Sequence, residues 1–327
     1  MRLGILGYGE SACGFAAAAH VAEGVKLAMV AGRNAEKAKA FAERYRAESS
    51  GATEEMLARD DIDCVAISTP PGIHAEGAVQ FAERGVHLMV EKPMCLTVED
   101  CRKIIGAAER NNVRLMVTHT HRFTTIARSA RQLIESGEFG SPIHLTVELY
   151  HDYFTAKRTG WQIDVGMSGG GVTMNPFIHM IDLARYLSLS EVAEATGCTG
   201  RHKRGFDIEG NVQCFARFEN GTTAFVCIDG YGHSKRMQAT VALDGAVLVL
   251  DYNNKRIEVW KKGGIAQTIG VGTGKVHKGD FVAYEGYLRH VEEMRDAIEK
   301  GGPITSDGCN GMKNVEIAQR ILAEATQ

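Results

Sequence analysis

One short segment, Gly4-Ile5-Leu6-Gly7-Tyr8-Gly9-Glu10-Ser11-Ala12, restricts the fold of this chain more than any other. An apolar run enters it and a helix-forming run leaves it, so the glycines sit at a strand–turn–helix junction. The order fits G-x-G-x-x-G/A with Ala12 in third place. Gly7 permits the tight turn, Gly9 allows close backbone approach, and Ala12 is small enough for the helix to pack on the strand. The helix start then offers free N–H groups and a positive dipole end to a pyrophosphate. Gly7, Tyr8, Gly9, Glu10, Ser11 and Ala12 are therefore expected to hold a dinucleotide, with the Glu10 carboxylate turned outward, away from the phosphates.

The surrounding pattern supports that junction. Short apolar runs at 3–6, 26–31, 64–68, 87–90 and 114–118 read as strands buried on both faces of a parallel sheet. Helical segments at 10–21, 35–44, 73–84 and 98–110 alternate with them. This alternation predicts a doubly wound α/β Rossmann domain over residues 1–120. After residue 121 the pattern changes to a helix near 124–135, a strand near 144–150, and the glycine-rich Ser168-Gly169-Gly170-Gly171. A helix to about 187 follows, then successive strands over 191–260 with hairpin signals at Asn220-Gly221 and Asp244-Gly245. Helices near 283–299 and 309–325 close the chain. Residues 121–327 are expected to form an α+β domain on a large, mostly antiparallel open sheet. An open face needs cover, which predicts a homo-dimer or homo-tetramer packed through it.

Composition excludes some partners. The formal net charge of −3 gives no polybasic signal for nucleic acid or an anionic membrane. No stretch approaches the roughly 20 apolar residues of a membrane span. The N-terminus runs directly into the first strand and turn without a cleavage signal, so a cytoplasmic location is the default. The eight cysteines show no C-x-x-C spacing and read as small buried hydrophobes in a reducing compartment.

The second strand ends in Val30-Ala31-Gly32-Arg33-Asn34. An acidic residue here would grip the ribose hydroxyls of NAD. Gly32 stands there instead, which removes repulsion against a 2′-phosphate and leaves room for it. Arg33 can pair with that phosphate and Lys37, one turn on, can add charge. The residues favour NADP, with NAD as the alternative; read alone, Arg33 and Lys37 are equally solvated surface cations.

Strand four leads into Val90-Glu91-Lys92-Pro93, outside the carboxyl end of an open sheet where ligands bind. Later residues give this loop its significance. Together with the glycine turn, the ordered set comprises Ser68-Thr69-Pro70-Pro71 with His74, Glu91-Lys92-Pro93, His121-Arg122-Phe123, residues 168–171, Ile178-His179-Met180-Ile181-Asp182-Leu183 and Phe218-Glu219-Asn220-Gly221. Over nearly its whole length the chain resembles the Gfo/Idh/MocA oxidoreductases. The resemblance implies a nicotinamide-dependent enzyme acting on CH–OH/C=O groups of a sugar, cyclic polyol or related hydroxylated ring. It adds Ser68, Thr69, Pro70, His74, Glu91 and Lys92 to the expected dinucleotide contacts, and it places Lys92 and His179 in one active site. Lys92 would hydrogen-bond the reacting hydroxyl and stabilise alkoxide charge, and His179 would be the general acid/base.

One position departs from the family pattern. Asn175 stands four residues before His179, where an aspartate is common. Asparagine can orient a hydroxyl or an imidazole but cannot supply the charge that stabilises a protonated histidine. Asn175 is kept as a catalytic candidate. Beside the oxidoreductase, two readings stay open: an enzyme that retains and recycles its cofactor, and a non-catalytic NADP-binding sensor or partner protein. Substrate contacts are expected from Lys92, His121, Arg122, Trp161, Asp164, Asn175 and His179, with His151 and Arg158 nearby in the chain. His119 and His121 lack a recognisable third ligand, so no metal site is expected.

Overall fold

A computed structural model describes residues 1–154, 160–202 and 205–324. The chain divides into two compact units: Met1–Thr120 with Lys275–Lys313, and His121–Gly274 with Asn314–Gln327.

The first unit runs β1 (Arg2–Leu6), α1 (Glu10–Val21), β2 (Lys26–Ala31), α2 (Ala35–Arg44), β3 (Ser49–Gly51), α3 (Thr53–Leu57), β4 (Cys64–Ile67), α4 (His74–Glu83), β5 (His87–Val90), α5 (Val98–Arg110) and β6 (Leu115–Val117). The strands form one six-stranded sheet ordered β3-β2-β1-β4-β5-β6, with every neighbouring pair parallel. Every residue of β4 is buried, as covering both faces with helices requires. The strand order reverses between β1 and β4, where open α/β sheets bind ligands. Small residues Ala12, Ala16 and Ala19 bring α1 close onto Leu3, Ile5 and Val30.

The segment Lys275–Lys313, assigned from sequence to the second domain, belongs to this first unit. Its apolar face explains why. Leu288, Val291 and Met294 enter the same core as Phe15 and Met116.

In the second unit, α6 (Thr125–Glu135), β7 (Pro142–Asp152), the short α7 (Val165–Ser168) and α8 (Ile178–Ser188) precede seven strands. These are β8 (Val192–Gly200), β9 (Asn211–Phe218), β10 (Thr223–Asp229), β11 (Tyr231–Leu243), β12 (Val247–Asp251), β13 (Arg256–Lys261) and β14 (Gly264–Gly270). They build an eight-stranded sheet ordered β14-β13-β12-β11-β7-β10-β9-β8. All neighbouring pairs are antiparallel except β7 and β10. Strict alternation fixes the faces: Val212, Cys214, Ala216 and Phe218 of β9 are buried, while Phe215 between them is 60% exposed. Phe215 and Phe225 lie 4.9 Å apart on this open face. The hairpin expected at Asn220-Gly221 joins β9 to β10, with Gly221 at φ +86°.

The chain closes with a small hairpin, β15 (Lys275–Lys278) and β16 (Phe281–Tyr284), and two helices, α9 (Glu285–Lys300) and α10 (Gly308–Glu324). The cysteines divide: Cys64, Cys95, Cys101 and Cys214 are buried as expected, whereas Cys198 and Cys309 are exposed.

Candidate active site

In the first unit the glycine turn has the form that a phosphate cradle needs. Gly7 adopts φ +112°, and a Cβ there would lie 2.7 Å from the Ser68 carbonyl oxygen at the end of β4. Only glycine fits. Gly9 is the N-cap of α1 and provides no side-chain cap, and no heavy atom lies within 4 Å of a Cβ placed on it. The first amides of a helix have no partner within the helix, so the α1 start is open to an anion. Beside it, Ser68 Oγ and Thr69 Oγ1 are buried without a hydrogen-bond partner among the described residues. Orphaned hydroxyls are rare in a finished interior. They, the bare cap and the space over Gly9 fit a dinucleotide. Glu10 is exposed.

At the end of β2, Gly32 has a role that its sequence position does not show. A Cβ there would lie 2.6 Å from the Tyr8 ring. The ring therefore occupies the space that an acidic side chain would need. Arg33 and Lys37 are exposed. The Lys37 amide donates to the Asn34 side chain, which caps α2 at 2.9 Å.

At the end of β5, Glu91 is only 5% exposed, and its Oε2 accepts from the Lys92 amide at 3.0 Å. Burial raises the Glu91 pKa, partly opposed by the Lys92 charge. Lys92 itself is half-buried. Tyr287 of α9 packs against this corner: its ring meets Phe15 edge-on at 5.0 Å and covers Gly14 of α1, where a Cβ would lie 2.6 Å from the ring. Burial, with Glu91 nearby, raises the Tyr287 pKa, so its hydroxyl stays protonated. Sequence gave no sign of Tyr287, because it is some 195 positions away in the chain from Lys92 and pattern alone cannot tell which core α9 joins.

His74 occupies a different place from the dinucleotide contact expected of it. It is fully buried. Nε2 lies 2.7 Å from the Thr69 carbonyl, and Nδ1 lies 3.2 Å from the Pro93 and Met94 carbonyls. The ring ties the loop after β4 to the loop after β5. Burial pushes its pKa down.

In the second unit, His121 and His179 form a cluster with Tyr252. The two imidazoles meet edge-to-face with centroids 4.8 Å apart, and the Tyr252 ring lies 6.3 Å from His121. His179 sits in the first turn of α8. The residues before it, Thr173–Phe177, form a π-turn containing Asn175. Pro176 causes it. Proline has no N–H, so the Val172 carbonyl accepts from Phe177 instead, at 2.9 Å, one residue further than an α-helix allows. Asn175 and His179 are both half-buried.

Two expected substrate contacts, Arg122 and Asp164, and the neighbouring His151 have structural partners. Arg122 is 6% exposed and donates from Nε and Nη2 to both Asp182 oxygens, at 2.7 and 2.5 Å. Asn314 donates to the same carboxylate at 2.9 Å, and Arg185 donates to Asn314 at 2.7 Å. This buried network anchors α8. Asp164 caps α7, accepting from the Gly166 amide at 2.9 Å. His151 packs edge-to-face on Tyr153 at 5.7 Å. Trp161 is 40% exposed. Arg158 lies outside the described residues.

Comparison with known proteins identifies the family and the fold. Residues 1–119 match the oxidoreductase family with the NAD-binding Rossmann fold, and residues 127–249 match the GFO/IDH/MocA C-terminal domain. The chain belongs to the Gfo/Idh/MocA oxidoreductase family. It is 32% identical over 183 residues to 1-carboxy-3-chloro-3,4-dihydroxycyclohexa-1,5-diene dehydrogenase of Comamonas testosteroni. That match covers 56% of this chain and 46% of the relative, so it spans about half of that protein's length. Identity is 29% over 228 residues to 1,5-anhydro-D-fructose reductase of Ensifer adhaerens, covering 68% of this chain and 67% of the relative. The fold matches levoglucosan dehydrogenase in complex with NADH and L-sorbose at a TM-score of 0.90 and 22% identity, covering 100% and 96% of the two chains. Among the described residues no helix is long and apolar enough to cross a membrane.

Proposed function

We propose that this protein is a nicotinamide-dependent oxidoreductase that interconverts a CH–OH and a C=O group on a sugar, cyclic polyol or related hydroxylated ring. The observation that carries the reading is the open start of α1, with Gly7 pressed against Ser68 and nothing within 4 Å of Gly9. When bound there, the nicotinamide supplies the hydride chemistry. The turn over residues 7–12 holds the phosphates through backbone N–H groups, and Ser68 and Thr69 offer hydroxyls beside it. NADP is the favoured form, since no carboxylate stands at Gly32 to repel a 2′-phosphate and the exposed Arg33 and Lys37 supply charge. NAD is the alternative.

Lys92 donates to the substrate oxygen and stabilises negative charge on it in the transition state. His179 takes the hydroxyl proton in oxidation and returns one in reduction. Asn175 orients the substrate or the imidazole by hydrogen bonding. The substrate class is supported by relatives whose names specify a dihydroxylated ring and an anhydro sugar. The exposed aromatic face of the second sheet supports a homo-oligomer joined through it. Light scattering that gives a monomer at working concentration contradicts that assembly.

The test is a screen of polyols and keto-sugars with NADP and NAD, run on the parent and Lys92→Ala. The expected result is turnover by the parent, with the variant losing it while dinucleotide binding stays largely intact, since the turn over residues 7–12 with Arg33 and Lys37 does most of the holding. Unchanged turnover in Lys92→Ala contradicts the assignment.

A further inference from the structure

The segment that carries Asn175 and His179 does not fix its own start. The first amides of a helix need acceptors from elsewhere, and Pro176 has already displaced one backbone hydrogen bond. The acceptor comes from a residue with no part in the sequence reading. Glu209 is 1% exposed, and its Oε1 accepts from the amides of Gly171 and Thr173, both at 2.8 Å. Its backbone carbonyl accepts from Val172 at 3.1 Å.

The glycines of residues 168–171 make room for it. A Cβ on Gly171 would lie 2.0 Å from the Glu209 carbonyl oxygen, and one on Gly170 would lie 3.3 Å from both carboxylate oxygens. These glycines enclose a buried side chain. A desolvated carboxylate needs strong donors, and paired amides at the positive end of a helix supply them.

We propose that Glu209 is a positioning residue for the catalytic segment: by seating the amides of Gly171 and Thr173 it sets where the π-turn begins, and hence where Asn175 and His179 stand. The proposal rests on the reading of His179 as the acid/base.

The experiment compares Glu209→Gln and Glu209→Ala in the full chain. It measures kcat, KM, dinucleotide affinity and the imidazole NMR signal of His179, assigned with His179→Asn. Glutamine keeps an oxygen that can accept both amides, so its kcat is expected within about threefold of the parent and the imidazole signal unmoved. Alanine removes the acceptor. It is expected to lower kcat about tenfold or more, because small misplacements of reacting groups are costly, to shift and broaden the His179 signal, and to leave dinucleotide affinity unchanged. Where the alanine protein does not fold, Glu209→Asp, one methylene short, carries the same test. A parental kcat and His179 signal in the alanine or aspartate variant, or a glutamine variant as impaired as alanine, overturns the proposal. Full activity of His179→Asn refutes the acid/base reading instead, and the imidazole signal still reports on positioning.

Discussion

Arg122 offers the sharpest contrast between a ligand contact and a structural one. Its guanidinium is 6% exposed and faces Asp182, which is fully buried. Replacing Arg122 by alanine takes both guanidinium donors from that carboxylate and leaves it the Asn314 amide at 2.9 Å among its partners. Breaking one side of a buried pair costs about 3–5 kcal/mol. In a domain of this size each kcal/mol lowers the melting temperature by about 2–4 °C, which gives a fall of roughly 6–20 °C. The double variant Arg122→Met with Asp182→Leu removes both charges and recovers part of the loss. It takes the Asp182 acceptor from the Asn314 amide, at a cost of about 1–3 kcal/mol. Thermal and urea unfolding of the parent, Arg122→Ala and the double variant measure these differences. If Arg122→Ala melts within about 2 °C of the parent while its substrate KM rises, Arg122 is a substrate ligand and the structural account is wrong.

Other substitutions separate packing from binding. Gly7→Ala meets both a positive φ and the Ser68 carbonyl. It is expected to lose about 1–2 kcal/mol of stability to backbone strain alone, whereas Gly9→Ala, with open space around it, leaves stability unchanged and weakens dinucleotide binding. Calorimetry with a fluorescence titration resolves the two, and equal melting temperatures contradict the cradle. For Glu91 the sign follows from its raised pKa. The folded state holds the proton more tightly than the unfolded chain, so stability falls as pH rises from the ordinary value of 4.5 through the folded one. Glu91→Gln stays neutral and is expected to melt higher than the parent at pH 8, by an amount that disappears near pH 4. A constant difference across that range rules out titration of Glu91 as its source. Asn175→Asp adds a carboxylate four residues before His179 and is expected to move the limb of the pH–rate profile assigned to His179 upward. An unmoved limb means that the two residues do not couple.

The residues explain which parts of this molecule sequence could reveal. β4 was legible because all four of its residues are apolar and buried, and the turn at Gly7 because its neighbours permit only glycine. β3 was not: Ser49, Ser50 and Gly51 carry no apolar pattern, and they are held in the sheet by backbone pairing to β2 and by the Ser49 hydroxyl. The apolar face of α9 was readable, but periodicity cannot say which core Leu288 and Val291 enter. The candidate site divides in the same way. Lys92 and His179 stand at recognisable motifs. His74, Asp164 and Arg122 were expected as ligand contacts, and the structure gives them the partners of a buried staple, a cap and an ion pair, which use the same residue types as a binding site. Glu209, Tyr252 and Tyr287 reach their places from distant segments, and no local spacing marks them.

Dinucleotide binding is the claim on which the rest depends. Titration of the purified protein with NADPH and with NADH, followed by fluorescence, tests it directly. Saturable binding of both is expected, about tenfold tighter for NADPH if Arg33 and Lys37 engage the 2′-phosphate. Equal affinity, or a preference for NADH, contradicts the cofactor choice. No binding of either at millimolar concentration contradicts the oxidoreductase itself.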